Sequence, residues 1–318
     1  MNVEEARRVS SRLRCVFLAF ACGVLSCADG NPRGPGAIVA TPQPLASGTD
    51  GTDGPRAAAR VTVHANVRVD ELLDVEVTFP ATAEGTLDPN GAPHPAVVFV
   101  HGGLVEASRY RWLSTHLATR GYVVIAPTHF ADLAILETDN AILALRAVQH
   151  AAAGTGTLAN AISRDELHPH AAVMGHSLGG VVAARQWISH PFEGLVLLAG
   201  YAGEGDPVTS RTGSSVLSLV GANDIVRASA MDYIDGFHAF PMPRLFASIT
   251  GMNHMAWADE TTADELANDG PLTRPIPVVR RDALRILDLW LDATFLGDAS
   301  AQQALMANSF PGTTAVMR

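Results

Sequence analysis

Residues 171–180 read AAVMGHSLGG and place a serine, Ser177, between an apolar run and a segment suited to a helix. The first four residues are small or apolar, which is typical of a buried β-strand. Residues 180–188, GVVAARQWI, are compatible with a helix. Gly175 and Gly179 lie two positions before and after the serine, where a tight turn needs a backbone without side chains. The stretch therefore predicts a serine at a sharp turn from strand to helix.

A serine at such a turn, a nucleophile elbow, can act as a catalytic nucleophile. The serine hydroxyl is weakly nucleophilic and must be presented to both a base and a substrate. The helix that begins at the turn points its N-terminus toward the serine, which favours developing negative charge. Because the G-x-S-x-G pattern also arises by chance in glycine-rich chains, a plain turn with a surface serine is the alternative on this evidence alone.

The composition is that of an acidic globular protein. The 318 residues carry a formal net charge of −10, and all 22 basic residues are arginines. An acidic surface disfavours nucleic acids and anionic membranes as partners. The three cysteines, Cys15, Cys22 and Cys27, all lie near the N-terminus. We therefore expect neither a disulfide nor a thiolate metal site in the folded part.

The N-terminal residues have the plan of an export signal. Four arginines precede the apolar run 15–25, which is too short for a transmembrane helix. The run ends in VLSC at 24–27, which resembles the bacterial lipobox. On this interpretation residues 1–26 are a lipoprotein-type signal peptide and Cys27 carries a lipid, which would be the protein's contact with a membrane of the cell envelope. The alternative is an ordinary signal cleaved after Ser26 or Ala28, which would give a secreted or periplasmic protein.

Three further regions follow the signal. Residues 27–60 are rich in Gly, Pro, Ala, Thr and Asp without periodicity, which predicts a flexible tether. Residues 61–297 are predicted to form the folded domain, and residues 298–318 a C-terminal tail. Within 61–297, apolar β-rich runs alternate with helical patterns, so we predict an α/β fold with a mostly parallel central sheet flanked by helices on both faces. Ligands of such sheets bind at the carboxyl ends of the strands.

Four motifs at predicted strand ends resemble those of a known superfamily. They are HGG at 101–103, GHSLGG at 175–180, GANDIV at 221–226 and GMNH at 251–254. Their order resembles the α/β-hydrolase superfamily, with nucleophile, acid and histidine in that chain order. Within it, the sequence looks most like the lidless dienelactone hydrolase, platelet-activating-factor acetylhydrolase and cutinase-like esterase groups. The resemblance implies the α/β-hydrolase fold.

The resemblance also implies a catalytic triad. Ser177 matches the nucleophile. His254 matches the base, since imidazole can take and return a proton near neutral pH. Asp224 matches the acid that orients the imidazole. Asp206, after the preceding strand, is the alternative acid, and Asp232 is a weaker one.

Two backbone amides should stabilise the oxyanion. We expect the first from Leu178, directly after the nucleophile, and the second from Gly103 in the HGG loop, with Leu104 as the alternative. His101 belongs to this loop. The side chain of His176 is expected to point away from the nucleophile's hydroxyl.

These residues predict a serine hydrolase that cleaves small or polymeric carboxylic esters through an acyl-enzyme, with no metal or organic cofactor. The segment 200–213 is short and lacks an apolar helical pattern, which favours an open cleft. An amidase, a peptidase or a lactonase would use the same residues. A non-catalytic ligand-binding surface lipoprotein is the alternative from another class. The sequence determines neither the substrate nor the oligomeric state.

Overall fold

The computed structural model describes residues 38–45, 53–68, 71–211, 213–226, 233, 236–307 and 309–317. Cys27 and the predicted signal peptide lie outside these residues, as does Asp232. In the part of the chain that is described, no helix combines the length and apolar character needed to cross a bilayer.

One β-sheet runs through the described residues and has eleven strands. The strands are β1 (Ile38–Val39), β2 (Gln43–Leu45), β3 (Ala57–Arg68), β4 (Glu71–Ala81), β5 (Ala96–Val100), β6 (Val123–Pro127), β7 (Ala171–His176), β8 (Gly194–Leu198), β9 (Ser215–Gly221), β10 (Arg244–Ile249) and β11 (Thr313–Met317). Their order in the sheet is β1-β3-β4-β6-β5-β7-β8-β9-β10-β11, and β2 also pairs with β3. The six strands β6, β5, β7, β8, β9 and β10 are parallel to one another. The strands outside this group, at both edges of the sheet, pair in the antiparallel direction.

Helices cover both faces of the sheet. They are α1 (Arg111–Thr119), α2 (Asn140–Ala152), α3 (Leu178–Ser189), α4 (Ala263–Ala267), α5 (Ile276–Leu291) and α6 (Ala299–Ala307). The core forms two apolar clusters, one with α2 and α3 and the other with α1 and α5. Val98 of β5 belongs to the first cluster, and its neighbours Val97 and Phe99 belong to the second. Because both faces are buried, the central strands are continuous apolar runs. The predicted fold class is therefore confirmed.

The sheet includes strands outside the predicted limits of 61 and 297. On the N-terminal side, β1, β2 and the first residues of β3 fall within the predicted tether. The start of β3 is the run AAA at 57–59, and alanine has a low strand propensity, so the sequence pattern concealed this strand. On the C-terminal side, α6 and β11 fall within the predicted tail, and β11 pairs with β10 at the sheet edge.

The topology brings four predicted site segments to one edge of the sheet. His101 follows β5 directly, and Ser177 follows β7 directly. Asp224 lies just beyond β9, and His254 lies just beyond β10. Because the parallel strands share one direction, all four segments emerge at their carboxyl ends, where ligands of such sheets bind.

Candidate active site

Ser177 occupies a strained turn between β7 and α3. Its backbone has φ 53° and ψ −122°, a conformation that L-residues rarely adopt. The Ser177 N–H donates to the carbonyl oxygen of Leu198 at 3.0 Å, which joins the turn to β8. The side chain is partly exposed, whereas the six residues of β7 are buried. The turn therefore presents the hydroxyl at the edge of the sheet.

The two glycines of the pentapeptide allow close backbone contact around this turn. A Cβ atom on Gly175 would overlap the carbonyl oxygen of Gly179. A Cβ atom on Gly179 would overlap the carbonyl oxygens of Val100 and His101. The turn thus packs directly on the end of β5, where a side chain at either glycine would not fit.

His254 and Asp224 form a buried pair. Nδ1 of His254 lies 2.8 Å from Oδ2 of Asp224, and each residue is only 4% exposed. The same carboxylate accepts the Tyr233 hydroxyl at 2.9 Å and the Val226 N–H at 2.9 Å. Because a carboxylate accepts, Nδ1 of His254 carries the proton, and Nε2 is the basic nitrogen of the neutral ring. The pair therefore has the arrangement of an oriented general base.

The alternative acid, Asp206, has other partners. Its carboxylate lies 3.3 Å from Nε of Arg185 and accepts the Gly203 N–H at 2.8 Å. The structure therefore brings Asp224, and not Asp206, to His254.

His254 packs against the elbow. Its ring centroid lies 4.7 Å from that of His176, the residue before Ser177. Nε2 of His176 lies 3.1 Å from the carbonyl oxygen of His254. The contact explains the full burial of His176, whose side chain is engaged with the loop of the base.

A carboxylate that no sequence motif indicated holds the backbone of His254. Oδ1 of Asp269 accepts the His254 N–H at 3.0 Å, and Oδ2 accepts the Met255 N–H at 2.8 Å. Asp269 is 8% exposed. In the sequence it stands in NDG at 268–270, a pattern typical of a solvated turn. Its position against the histidine loop could be found only from the folded chain.

The two residues predicted to donate to the oxyanion, Gly103 and Leu178, are in contact. A Cβ atom on Gly103 would come within 2.9 Å of Cδ2 of Leu178. The alternative donor, Leu104, uses its N–H to donate to the carbonyl oxygen of Asp132 at 2.8 Å. The geometry therefore favours the Gly103 amide over that of Leu104.

His101 makes two hydrogen bonds at the start of the HGG loop, from which an oxyanion donor is predicted. Its Nδ1 lies 2.9 Å from the carbonyl oxygen of Gly102, and its Nε2 lies 2.8 Å from Nδ1 of His129. Since the carbonyl only accepts, Nδ1 of His101 carries the proton, and Nε2 accepts from His129. Burial lowers the pKa of His101 and lowers the pKa of His129 to about 3, so both rings are neutral at pH 7.

The edge therefore holds a partly exposed serine, a buried histidine–aspartate pair and two adjacent loops with backbone amides. Such a set can remove a proton from the serine hydroxyl and stabilise an oxyanion. In the described ranges, no group of three or more His, Cys, Asp or Glu side chains is arranged to hold a metal ion.

A comparison with protein families finds a match to this chain. The model of the alpha/beta hydrolase family matches residues 96–262, slightly more than half of the sequence. The chain belongs to the alpha/beta hydrolase family. The match to this hydrolase family covers Ser177, Asp224 and His254. Among curated proteins, no sequence matches the chain significantly.

Proposed function

We propose that the protein is a serine hydrolase that cleaves carboxylic esters, with Ser177 as nucleophile, His254 as base and Asp224 as the acid that orients it. The observation that carries the proposal is the buried His254–Asp224 pair, joined at 2.8 Å and packed on the elbow that presents Ser177. Family membership supports hydrolysis as the reaction class.

In the first half of the reaction, Ser177 Oγ attacks the ester carbonyl carbon while Nε2 of His254 takes the hydroxyl proton. The carbonyl π electrons move to oxygen, and the Gly103 and Leu178 amides stabilise the resulting oxyanion. Asp224 stabilises the imidazolium that forms. When the tetrahedral intermediate collapses, the C–O bond to the alcohol breaks, and the imidazolium gives its proton to the leaving oxygen.

In the second half, water hydrolyses the acyl-enzyme. His254 takes a proton from the water as its oxygen attacks the acyl carbon, and the same amides hold the second oxyanion. Collapse breaks the bond to Ser177 Oγ, which recovers a proton from His254. The products are a carboxylic acid and an alcohol.

Three exposed apolar side chains stand next in sequence to residues of the site, which favours a substrate with an apolar portion. Leu104, next to Gly103, is 72% exposed, and Ile225, next to Asp224, is 57% exposed. Phe130, which neighbours the His101–His129 contact, is 74% exposed. These side chains could cover apolar parts of an acyl chain or an alcohol at the open edge of the sheet.

We also propose that the protein is exported and attached to the cell envelope through a lipid on Cys27. The support is the sequence pattern at 15–27. When the full chain is expressed in a bacterial host, Cys27→Ser should move the protein from the membrane fraction to the soluble fraction while turnover in detergent stays unchanged. Retention of the variant in the membrane fraction would contradict the lipid anchor.

The experiment that tests the catalytic proposal is hydrolysis of nitrophenyl esters from acetate to long-chain acids, with Ser177→Ala as the control. We expect turnover by the wild type and a loss of several orders of magnitude in the variant. The dependence of turnover on the length of the acyl chain would measure the size of the acyl site. Turnover of amides or lactones but no ester would support an amidase, peptidase or lactonase. Equal turnover by both proteins would contradict Ser177 as nucleophile.

A further inference from the structure

A series of three buried hydrogen bonds connects the oxyanion loop, the elbow and the loop of the base. The Gly102 N–H donates to the Tyr110 hydroxyl at 3.2 Å. That hydroxyl lies 2.8 Å from Nδ1 of His176, whose Nε2 lies 3.1 Å from the carbonyl oxygen of His254. Tyr110 and His176 are both completely buried. Gly102 directly precedes Gly103, His176 directly precedes Ser177, and the last hydrogen bond ends on His254 itself.

The proton positions along this series can be assigned in only one way. The carbonyl oxygen of His254 accepts, so Nε2 of His176 carries the proton. Burial lowers the pKa of His176 well below its ordinary value, so the ring is neutral and Nδ1 has a lone pair. The Tyr110 hydroxyl therefore donates to Nδ1 and accepts from Gly102. Burial also raises the pKa of Tyr110, which keeps this hydroxyl protonated.

The β-sheet alone does not fix the distances that this series spans. The ladder between β5 and β7 ends at Val100 and Gly175, so the loops beyond it lack strand pairing with each other. Two strands, β8 and β9, separate β7 from β10, yet His176 at the end of β7 contacts His254 beyond β10. The side chains of Tyr110 and His176 supply the connections at the level of the site.

We propose that Tyr110 and His176 are positioning residues that set the distance between the Gly103 amide and the ring of His254. The inference rests on the proposed function, because in that reaction the Gly103 amide must bind the oxyanion while His254 takes the proton. The Gly102 N–H donates to Tyr110, which holds the loop next to Gly103, and Gly103 packs against the side chain of Leu178. A displacement of about 1 Å between such groups can lower a rate about 100-fold.

The first test compares Tyr110→Phe with Tyr122→Phe. Both remove one oxygen from a fully buried tyrosine, but the Tyr122 hydroxyl donates to Asp292 at 2.8 Å, far along the chain from the site loops. Active sites are counted by complete titration with a fluorophosphonate, so that kcat refers to folded enzyme. We expect Tyr110→Phe to lower kcat about 10- to 100-fold with KM within about twofold. Tyr122→Phe should lower the melting temperature and leave kcat unchanged.

The second test uses the nearly isosteric pair His176→Gln and His176→Met, which covers the case in which Tyr110→Phe does not fold. The glutamine amide can still donate to the His254 carbonyl, whereas methionine cannot. We expect the glutamine variant to retain at least about fivefold more kcat, since its amide restores one hydrogen bond to the base loop. The affinity of a trifluoromethyl ketone, which mimics the tetrahedral intermediate, should fall in parallel with kcat/KM.

Equal kcat per active site in wild type and Tyr110→Phe would overturn the inference, as would equal kcat in the two His176 variants. Those results would leave the proposed function intact, because the wild type would still turn over esters. A wild-type protein that neither hydrolyses esters nor reacts with the fluorophosphonate would instead overturn the proposed function.

Discussion

The elbow, which contains Ser177, and the histidine loop, which contains His254, meet at the same site, but different contacts hold them in place. At the elbow, the backbones of β7, α3 and the end of β5 are in direct contact, and Gly175 and Gly179 leave no room for a side chain. At the histidine loop, backbone contacts are also present, since the Asn223 N–H donates to the Met252 carbonyl oxygen at 2.9 Å. Side chains add further connections: Asp269 accepts two backbone N–H groups, and Asp224 accepts the imidazole. Close backbone packing therefore dominates at the elbow, whereas side-chain hydrogen bonds add to the backbone contacts at the histidine loop.

This difference predicts different responses to mutation. An atom added at the elbow has no space, and the surrounding backbone cannot move without disturbing three elements. A side-chain substitution at the histidine loop removes one or two hydrogen bonds but introduces no steric overlap with the backbone. We expect substitution of Gly175 or Gly179 to abolish activity, and side-chain substitutions at the histidine loop to reduce it in steps.

The largest effect should come from Gly179→Ala. The added methyl would overlap the carbonyl oxygens of Val100 and His101, so we expect a loss of about 3 kcal/mol in unfolding free energy and no measurable turnover. Chemical denaturation and ester hydrolysis would measure both. Gly156→Ala is the matched control, since a Cβ atom there meets nothing within 4 Å. A Gly179→Ala protein with normal stability would contradict the account of the elbow.

The next effect should come from Asp224→Asn, which places an amide where the carboxylate orients His254. We expect kcat to fall about 10³- to 10⁴-fold, because the amide favours the wrong tautomer of the imidazole. Asp206→Asn makes the same change at the aspartate that pairs with Arg185 and should leave kcat within about twofold. If Asp206→Asn were the more damaging change, the assignment of the acid would be wrong.

A smaller effect is expected from Asp269→Asn. An amide retains one acceptor oxygen, so one of the two N–H groups at His254 and Met255 would lose its partner. We expect kcat to fall about 10-fold and stability to fall by about 1–3 kcal/mol. Asp259→Asn is the control, because this carboxylate is 40% exposed and pairs with Arg280 at 3.0 Å instead of accepting the N–H of His254 or Met255. Unchanged kcat in Asp269→Asn would show that the backbone contacts do not position His254.

The smallest effect concerns the pH dependence of stability. Arg109 binds both carboxylate oxygens of Glu265 at 2.8 Å, and these hydrogen bonds lower the pKa of Glu265 from 4.5 to about 2. A carboxylate with a lowered pKa stabilises the fold above its ordinary pKa, and this contribution disappears as the pH falls from about 4.5 to about 2.

The measurement compares the melting temperatures of wild type and Glu265→Gln at pH 7 and at pH 3. The variant should melt below wild type at pH 7, and the difference should narrow at pH 3. A difference that stays constant would show that the Arg109–Glu265 pair contributes nothing to the pH dependence.

The elements that carry a strong local pattern could be predicted from the sequence. Strand β5 is the continuous apolar run AVVFV, a pattern typical of a buried central strand. The positions of Ser177, Asp224 and His254 at strand ends followed from the motifs and the chain order of the family. The assignment to the α/β-hydrolase superfamily is confirmed, whereas the narrower esterase group stays a prediction.

The connections across the site could not be predicted, because they depend on residues far apart in the chain. From the sequence alone, Asp269 is typical of a turn, and Tyr110 is indistinguishable from other residues near the beginning of a helix. Their roles arise only when the fold brings them to His254 and Gly102. Strand β11 was missed for a similar reason, since its pairing with β10 joins segments more than sixty residues apart.

The measurement that tests the central claim most directly is the mass of the protein after reaction with a fluorophosphonate, followed by peptide mapping. We predict one adduct per chain on Ser177 in the wild type, no adduct in Ser177→Ala and strongly slowed labelling in His254→Ala. An adduct on another residue, or ester hydrolysis that persists in Ser177→Ala, would contradict the claim that the elbow serine and the buried His254–Asp224 pair form the catalytic centre.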